Sequence, residues 1–462
     1  MKLKLYKLSL ILILLGIFFI PFNSWEGISA FGEFSRESSF IFFLLVFIVQ
    51  FIIIYRSKKI YIPIKNPITI ILVLIVIWFG LTYFLNIFQI QSYFIKNTSG
   101  NNRFIRQYGA FIISSVFFLF TYNNVFIRFN VLKLFKIIRL TLLYSLGVVT
   151  VYAILESLIL FLNMSFLIPV LYLFDYFPFT EAWLDFENMR VSSVSYEPPF
   201  LGIYLMTIAG WMFSYIVTNK GYLYYLPTII VISLALLSNS RSAFFSIIIQ
   251  LVFFLIYFIK KKRYHKVLIK AFIALAIISI PFFLVKASDM INYVSNKIES
   301  LNINNQDHSV SNKSRFGIMY TSFLIFLENP IDGVGFGQQA FEAESMYPNW
   351  ATNNNYEFEL KYLNDKITSF PPGYNLYTRL LAETGIIGFI LFTGLIIILI
   401  YVSYKKMFTS NDKAFCYLIL FISFIGFSIN WLQIDTFRIF GFWICLSLLI
   451  ILTNGQLKLK KV

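Results

Sequence analysis

A few charged residues stand where an otherwise apolar chain has least use for charge. Arg241 lies in Ser238-Asn239-Ser240-Arg241-Ser242, a polar interruption with apolar residues on both sides. Its guanidinium fork suits a phosphate, helped by the flanking hydroxyls and by the free N–H groups that open the next helix. The plainer reading is an arginine snorkelling from a helix end. Arg190 and Arg315 occupy similar positions, and Arg438 follows Asp435 at the three-residue spacing of a helical ion pair. Glu197 precedes Pro198 and Pro199. An acid before proline is ordinary capping at a helix start, and a carboxylate there, facing Arg190 and Arg241, is also placed to take a proton from a substrate hydroxyl. Glu156 falls inside an apolar run, where an ionisable group either pairs with an arginine or couples ions in a transporter.

Other chemistries find little support. The two histidines, His265 and His308, are too far apart in sequence for ligand spacing, so no metal site is expected. Asn329 to Gly337, NPIDGVGFG, has the glycines of a phosphate loop but no GK[ST] after them; Gly333, Gly335 and Gly337 equally serve a tight turn and close backbone packing. Glu26, Glu33 and Glu37 lack a tight acidic pair. No cofactor is expected.

The elements that must position these residues are membrane helices. The 462-residue chain is 58% hydrophobic and 13% charged, whereas soluble domains carry roughly 25% charged residues, so a soluble enzyme is excluded. Two cysteines, Cys416 and Cys445, are too few for a disulfide scaffold. Twelve apolar runs approach the roughly 20 residues that a spanning helix needs: 6–22, 39–55, 67–89, 104–125, 140–162, 198–218, 222–238, 242–259, 268–286, 386–404, 414–431 and 438–454. The first has a basic flank but no small-residue cleavage pattern and reads as a retained helix. The expected fold is an all-α polytopic membrane protein, with both termini inside.

The charges test that topology. With the N-terminus inside, 24 of the 38 basic residues and only Asp412 among the acids fall on the cytoplasmic side, an inner surface of +23 against −7 elsewhere. The net +16 then reports orientation, and no nucleic acid is needed to explain it. The chain divides into helices one to nine (1–286), an extracytoplasmic loop (287–385) with helical patterning at Lys313 to Leu327 and Tyr374 to Thr384, and helices ten to twelve with a basic tail (386–462).

Three segments together resemble the O-antigen ligase and polymerase superfamily. Tyr374-Asn375, nine residues, then Gly385-Ile386-Ile387-Gly388, with Glu383-Thr384 before the glycines, is similar to a ligase signature that opens on His. Arg315 followed by Asn329 to Gly337 resembles the segment opening the family's large loop. Ser240-Arg241-Ser242, and Arg190 to Glu197-Pro198, resemble its SR and EP elements. The resemblance covers roughly residues 185 to 455. Tyr374 departs from it: a phenol with an ordinary pKa near 10 is a poor base at about pH 7, which favours the polymerase branch over the ligase.

The resemblance implies a metal-independent glycosyltransferase of the bacterial cytoplasmic membrane, acting at its outer face on undecaprenyl-diphosphate-linked oligosaccharide. Membrane lipid, a chain-length regulator and a flippase are the partners it brings in. Arg241, Arg315 and Glu197 are then the expected catalytic residues. Arg190, Asn329, Gly335, Gly337, Tyr374, Asn375 and Glu383 are the expected substrate-binding ones, although Glu383 equally reads as an i, i+4 partner of Arg379 that stabilises the loop helix. A ligase-type transferase and a lipid-linked oligosaccharide flippase or transporter remain as alternatives; a transporter would usually show paired repeats and broken helices, and neither is evident.

Overall fold

Asparagine and serine side chains start several of the helices. Asn66 Oδ1 accepts from Ile68 N at 2.9 Å, Asn130 Oδ1 from Leu132 N at 3.0 Å, and Ser99 Oγ from Asn102 N at 3.3 Å. Pro67 and Pro198 each sit in the first turn, where a missing N–H costs nothing. The computed structural model describes residues 2–260, 309–410 and 412–454. The ninth expected helix at 268–286, both histidines, the first part of the long loop and the basic tail lie outside the described residues.

The principal helices are α1 (Lys2–Phe18), α2 (Ser38–Ser57), α3 (Pro67–Leu85), α4 (Gly100–Phe126), α5 (Val131–Leu162), α6 (Pro198–Thr218), α7 (Leu226–Leu237), α8 (Arg241–Lys260), α9 (Ser309–Glu328), α10 (Leu376–Thr409), α11 (Ala414–Asn430) and α12 (Phe440–Asn454). Among the described residues, seven helices (α2 to α6, α8 and α10) are long and apolar enough to cross a membrane. Shorter apolar helices lie at Ser165–Tyr176, Tyr222–Leu237, Ala414–Asn430 and Phe440–Asn454. The chain is a largely helical, multi-pass membrane protein. Its one sheet among the described residues is a hairpin of Phe94–Ile95 with Thr98–Ser99, turned by Lys96 and Asn97 at φ 52 and 56.

Several boundaries depart from the apolar runs. The run at 67–89 breaks at Asn86, so a short helix Ile87–Ser92 follows α3. Helix α5 begins nine residues before the expected 140, because Asn130 caps it and Lys133, Lys136 and Arg139 form its first turns rather than a loop. Arg139 is buried there, donating to Ser214 Oγ and Thr218 Oγ1 across on α6. The expected 386–404 helix is joined to the polar segment before it, giving α10 a break at Gly385 (φ 61, ψ −168).

Burial separates the middle of the bundle from its rim. Its most apolar stretch is 78% buried in α6 and only 28% in α3. On α3, Ile68, Leu72, Ile75, Phe79 and Thr82 face inward, while Ile70, Val73, Leu74, Ile77, Leu81 and Phe84 are exposed on the other side, as a lipid-facing stripe requires. At the centre, Gln250 Nε2 of α8 donates at 3.0 Å to Met206 O of α6 and at 3.0 Å to Ile422 O of α11. Gly426 makes room for it, since a Cβ there would sit 2.1 Å from that nitrogen.

Candidate active site

The loop carrying Arg190 is fastened from beneath. Glu156, 0% exposed on α5, accepts from Ser192 N at 3.0 Å and Ser193 N at 2.8 Å, and Val191 N donates to Leu237 O at the end of α7. Neither reading of Glu156 from sequence anticipated this: the buried carboxylate satisfies backbone donors instead of pairing with an arginine. A single antiparallel bridge between Asp185 and Arg190 closes the loop, and Asp185 Oδ1 accepts from Asn188 N at 2.9 Å. Arg190 Nη2 donates to Asn239 O at 3.5 Å. Burial lowers the Arg190 pKa from its ordinary range; the Asp185 carboxylate opposes that shift and the Arg315 cation adds to it.

Arg241 opens α8 two residues after Asn239, whose φ of 50 makes the turn tight. Its Nη2 donates to Asn312 Oδ1 of α9 at 3.4 Å, and Arg315 and Arg190 are both within its electrostatic reach. One turn along α9, Arg315 lies over the Tyr374 ring at 5.2 Å. The Tyr374 and Tyr362 hydroxyls are 2.8 Å apart. Tyr374 holds φ 54, a left-handed conformation that costs a bulky residue roughly 1–3 kcal/mol and collects at functional sites. Burial raises its phenol pKa above the ordinary value, only partly opposed by the Tyr362 hydroxyl and by Arg315. Glu197 is exposed at the start of α6, makes no side-chain cap, and lies within electrostatic reach of Arg190.

Thus four segments distant in sequence bring Arg190, Arg241, Arg315 and Tyr374 together, with Glu197 at the edge. Asn375 adjoins them as the cap of α10, its Oδ1 accepting from Tyr377 N at 2.9 Å and Thr378 N at 3.2 Å.

The glycine segment does different work. Gly333, Gly335 and Gly337 have φ of 68, 98 and 83, and Val334 N and Gly335 N donate to Ala382 O and Glu383 O at 2.9 and 3.1 Å. A Cβ at Gly333 would lie 2.5 Å from Ala382 O, so the segment docks backbone to backbone on α10. Asn329 closes α9, its Nδ2 donating to Ile325 O at 3.5 Å. Glu383, 1% exposed, accepts from Arg379 Nε at 3.0 Å.

Arg379, paired with Glu383 at the i, i+4 spacing expected from sequence, leads to a second basic group in which Arg438 was anticipated and Arg103 and Arg106 were not. Arg379 Nη1 lies 3.4 Å from Asp435 Oδ2. The expected pairing of Asp435 with Arg438 is therefore not formed; Asp435 turns to Arg379, and Arg438 reaches Glu33 at 3.9 Å. Arg103 and Arg106 of α4, with Glu33, complete a cavity of about 320 Å³. The signal for them was present: they are basic residues on the side expected to be acidic, the criterion that singled out Arg241. Asp435 Oδ2 also accepts from Gly373 N at 2.9 Å, so the cavity adjoins Tyr374. Among the described residues, no group of three or more His, Cys, Asp or Glu is placed to hold a metal ion.

Residues 226–393 match the family model described as O-Antigen ligase. The match supports the O-antigen ligase and polymerase superfamily. It spans Arg241, Arg315, the glycine segment, Tyr374 and the break in α10, and is consistent with a membrane glycosyltransferase-type enzyme. Arg190 and Glu197 lie before the matched residues, as do Arg103 and Arg106. Among curated proteins, none matches the chain.

Proposed function

We propose that this O-antigen ligase-type chain is a polymerase of undecaprenyl-diphosphate-linked oligosaccharide repeat units, working at the outer face of the bacterial cytoplasmic membrane in the synthesis of a surface polysaccharide. The observation that carries the proposal is the convergence of Arg190, Arg241 and Arg315 beside Tyr374. Gathering like charges is unfavourable until an anion enters among them, and a diphosphate is the anion that the family's substrates carry.

A hydroxyl of one repeat attacks the anomeric carbon of another, the carbon–oxygen bond to the lipid diphosphate breaks, and the diphosphate departs with the bonding pair. Its growing charge is met by fixed guanidiniums, which keep their proton and bind phosphate oxygens bidentately. That is work often given to a divalent cation, and the reaction is proposed to run without one. The attacking hydroxyl gives its proton to the Glu197 carboxylate, which is exposed and not consumed by helix capping. Tyr374 and Asn375 orient sugar hydroxyls. The neutral Tyr374 phenol, where a ligase is expected to carry His, supports the polymerase reading. Glu156, on which a transporter reading would rest, is engaged with two backbone N–H groups, which supports loop anchoring.

The test is a membrane assay with Arg241→Ala. Normal insertion, absence of polymer and single lipid-linked repeats accumulating at the outer face are expected. Wild-type polymer in the variant would remove the phosphate-binding role, and repeats trapped at the inner face would point to a flippase. Full activity in EDTA is expected from purified protein; loss restored by magnesium would overturn the metal-free route.

A further inference from the structure

The cavity beside α4 has the dimensions of a binding site, since small-molecule pockets begin at roughly 300 Å³, and it measures about 320 Å³. Its walls come from α4, from the strap at 368–372 and from the turn at 435–438. The chain entering the strap is fixed by Lys96, which is 4% exposed and whose Nζ donates to Lys361 O, Asn364 O and Ile367 O at 3.1, 2.7 and 3.1 Å. A buried ammonium satisfied by three carbonyls orders the segment that leads into the strap.

The ion pairs around the cavity leave one guanidinium out. Glu33 takes Arg106 at 2.8 Å and Arg438 at 3.9 Å, and Arg379 is held by Glu383 at 3.0 Å and Asp435 at 3.4 Å. Three guanidiniums thus share three carboxylates. Arg103 is the fourth. It donates Nε to Gly337 O at 2.7 Å, stacks on Phe370 at 3.8 Å, and forms no ion pair among the described residues. Its planar fork is steadied by a carbonyl and a ring, while its terminal amino groups have no carboxylate. Phe336, Phe370 and Phe437 add apolar surface of the kind that receives the C–H face of a sugar ring.

We infer that this cavity is a saccharide subsite for an anionic sugar, a ring bearing a carboxylate or a phosphate group, with Arg103 as the residue that reads the negative charge. The inference rests on the glycosyl-transfer reading and extends it. Gly373, bonded to Asp435 at the cavity, immediately precedes the Tyr374 that Arg315 covers, so a sugar held here is continuous with one reacting at the three arginines. Asp435 and Glu33 remain available to accept from the sugar's hydroxyls.

Binding to the purified full chain in detergent, followed by ligand-observed NMR, tests this with methyl glucuronide, glucose 6-phosphate and methyl glucoside. One of the anionic probes should bind at least about tenfold more tightly than the glucoside, as a charge-assisted bidentate contact allows. Whichever anionic probe binds better identifies carboxylate or phosphate. Arg103→Gln should abolish the preference and Arg103→Lys retain part of it. Phe370→Ala, which keeps every charge, should weaken all three probes together. Equal binding of charged and neutral probes, or a preference that survives Arg103→Gln, overturns the inference. Arg241→Ala separates the two readings: the probe preference should persist while polymer is lost, so polymer made by that variant would count against the proposed function alone.

Discussion

The two arginine groups near Tyr374 treat charge differently: around the cavity all but Arg103 are paired with acids. Around the cavity, Arg106, Arg379 and Arg438 are each matched to an acid, and Arg379 with Glu383 is almost wholly buried. At the candidate active site, Arg190, Arg241 and Arg315 lie within one another's fields, and neither Arg190 nor Arg315 forms a salt bridge among the described residues. Matched charges belong to the scaffold. Once such a pair is buried, removing one partner strands the other. Like charges held together work against the fold, and an arriving anion relieves them.

Glu383→Ala should therefore give the largest loss, about 3 kcal/mol of unfolding free energy, the low end for a broken buried pair because Arg379 keeps Asp435 at 3.4 Å, read as the collapse of the folded peak in detergent chromatography. A variant of unchanged stability would break the comparison. Arg315→Ala should do the reverse. Transfer should fall about 10²–10³-fold in a lipid-linked repeat assay, as for a lost transition-state donor, while the unfolding temperature does not drop. Glu156→Ala should fall between, exposing two unsatisfied N–H groups at about 1–3 kcal/mol and accelerating hydrogen exchange at residues 191–195 while α5 stays protected. The smallest effect is expected from Tyr374→Phe. Burial raises that phenol above its ordinary pKa, so it stays protonated at neutral and mildly alkaline pH. The pH–rate profile between about pH 6 and 9 should then keep its shape in the variant. An alkaline limb that vanished with the hydroxyl would show the phenol titrating.

Helix placement was largely written in the apolar runs, because a membrane helix must be long and apolar whatever its neighbours are. The misplaced end is one where polar residues continue a helix, Lys133 to Arg139 at the start of α5, whereas the helical patterning at Tyr374 to Thr384 became the first rod of α10. Composition cannot show that Arg139 is buried against Ser214 and Thr218. At the site, Arg190, Arg241 and Arg315 were legible as cations in the wrong place for charge. Partnerships were not: Arg106 meets Glu33 across 73 positions, and Arg379 meets Asp435 across 56. The local rule that assigned Asp435 to Arg438 failed because irregular chain, not a helix, separates them, and Asp435 also accepts the Gly373 N–H.

The break at Gly385 decides what the bilayer is able to move. Residues 386–409 alone extend about 36 Å at 1.5 Å per residue, enough for a hydrocarbon layer of about 30 Å. The rod before the bend is surplus to crossing. Its last carbonyls are taken by Val334 and Gly335, and Ile386 N is taken by Pro330 O at 2.9 Å. Membrane thickness therefore acts on the second rod, whose tilt adjusts to it. The height of the first rod is set by protein, so Tyr374 stays at the level of the glycine segment in thin and thick membranes alike.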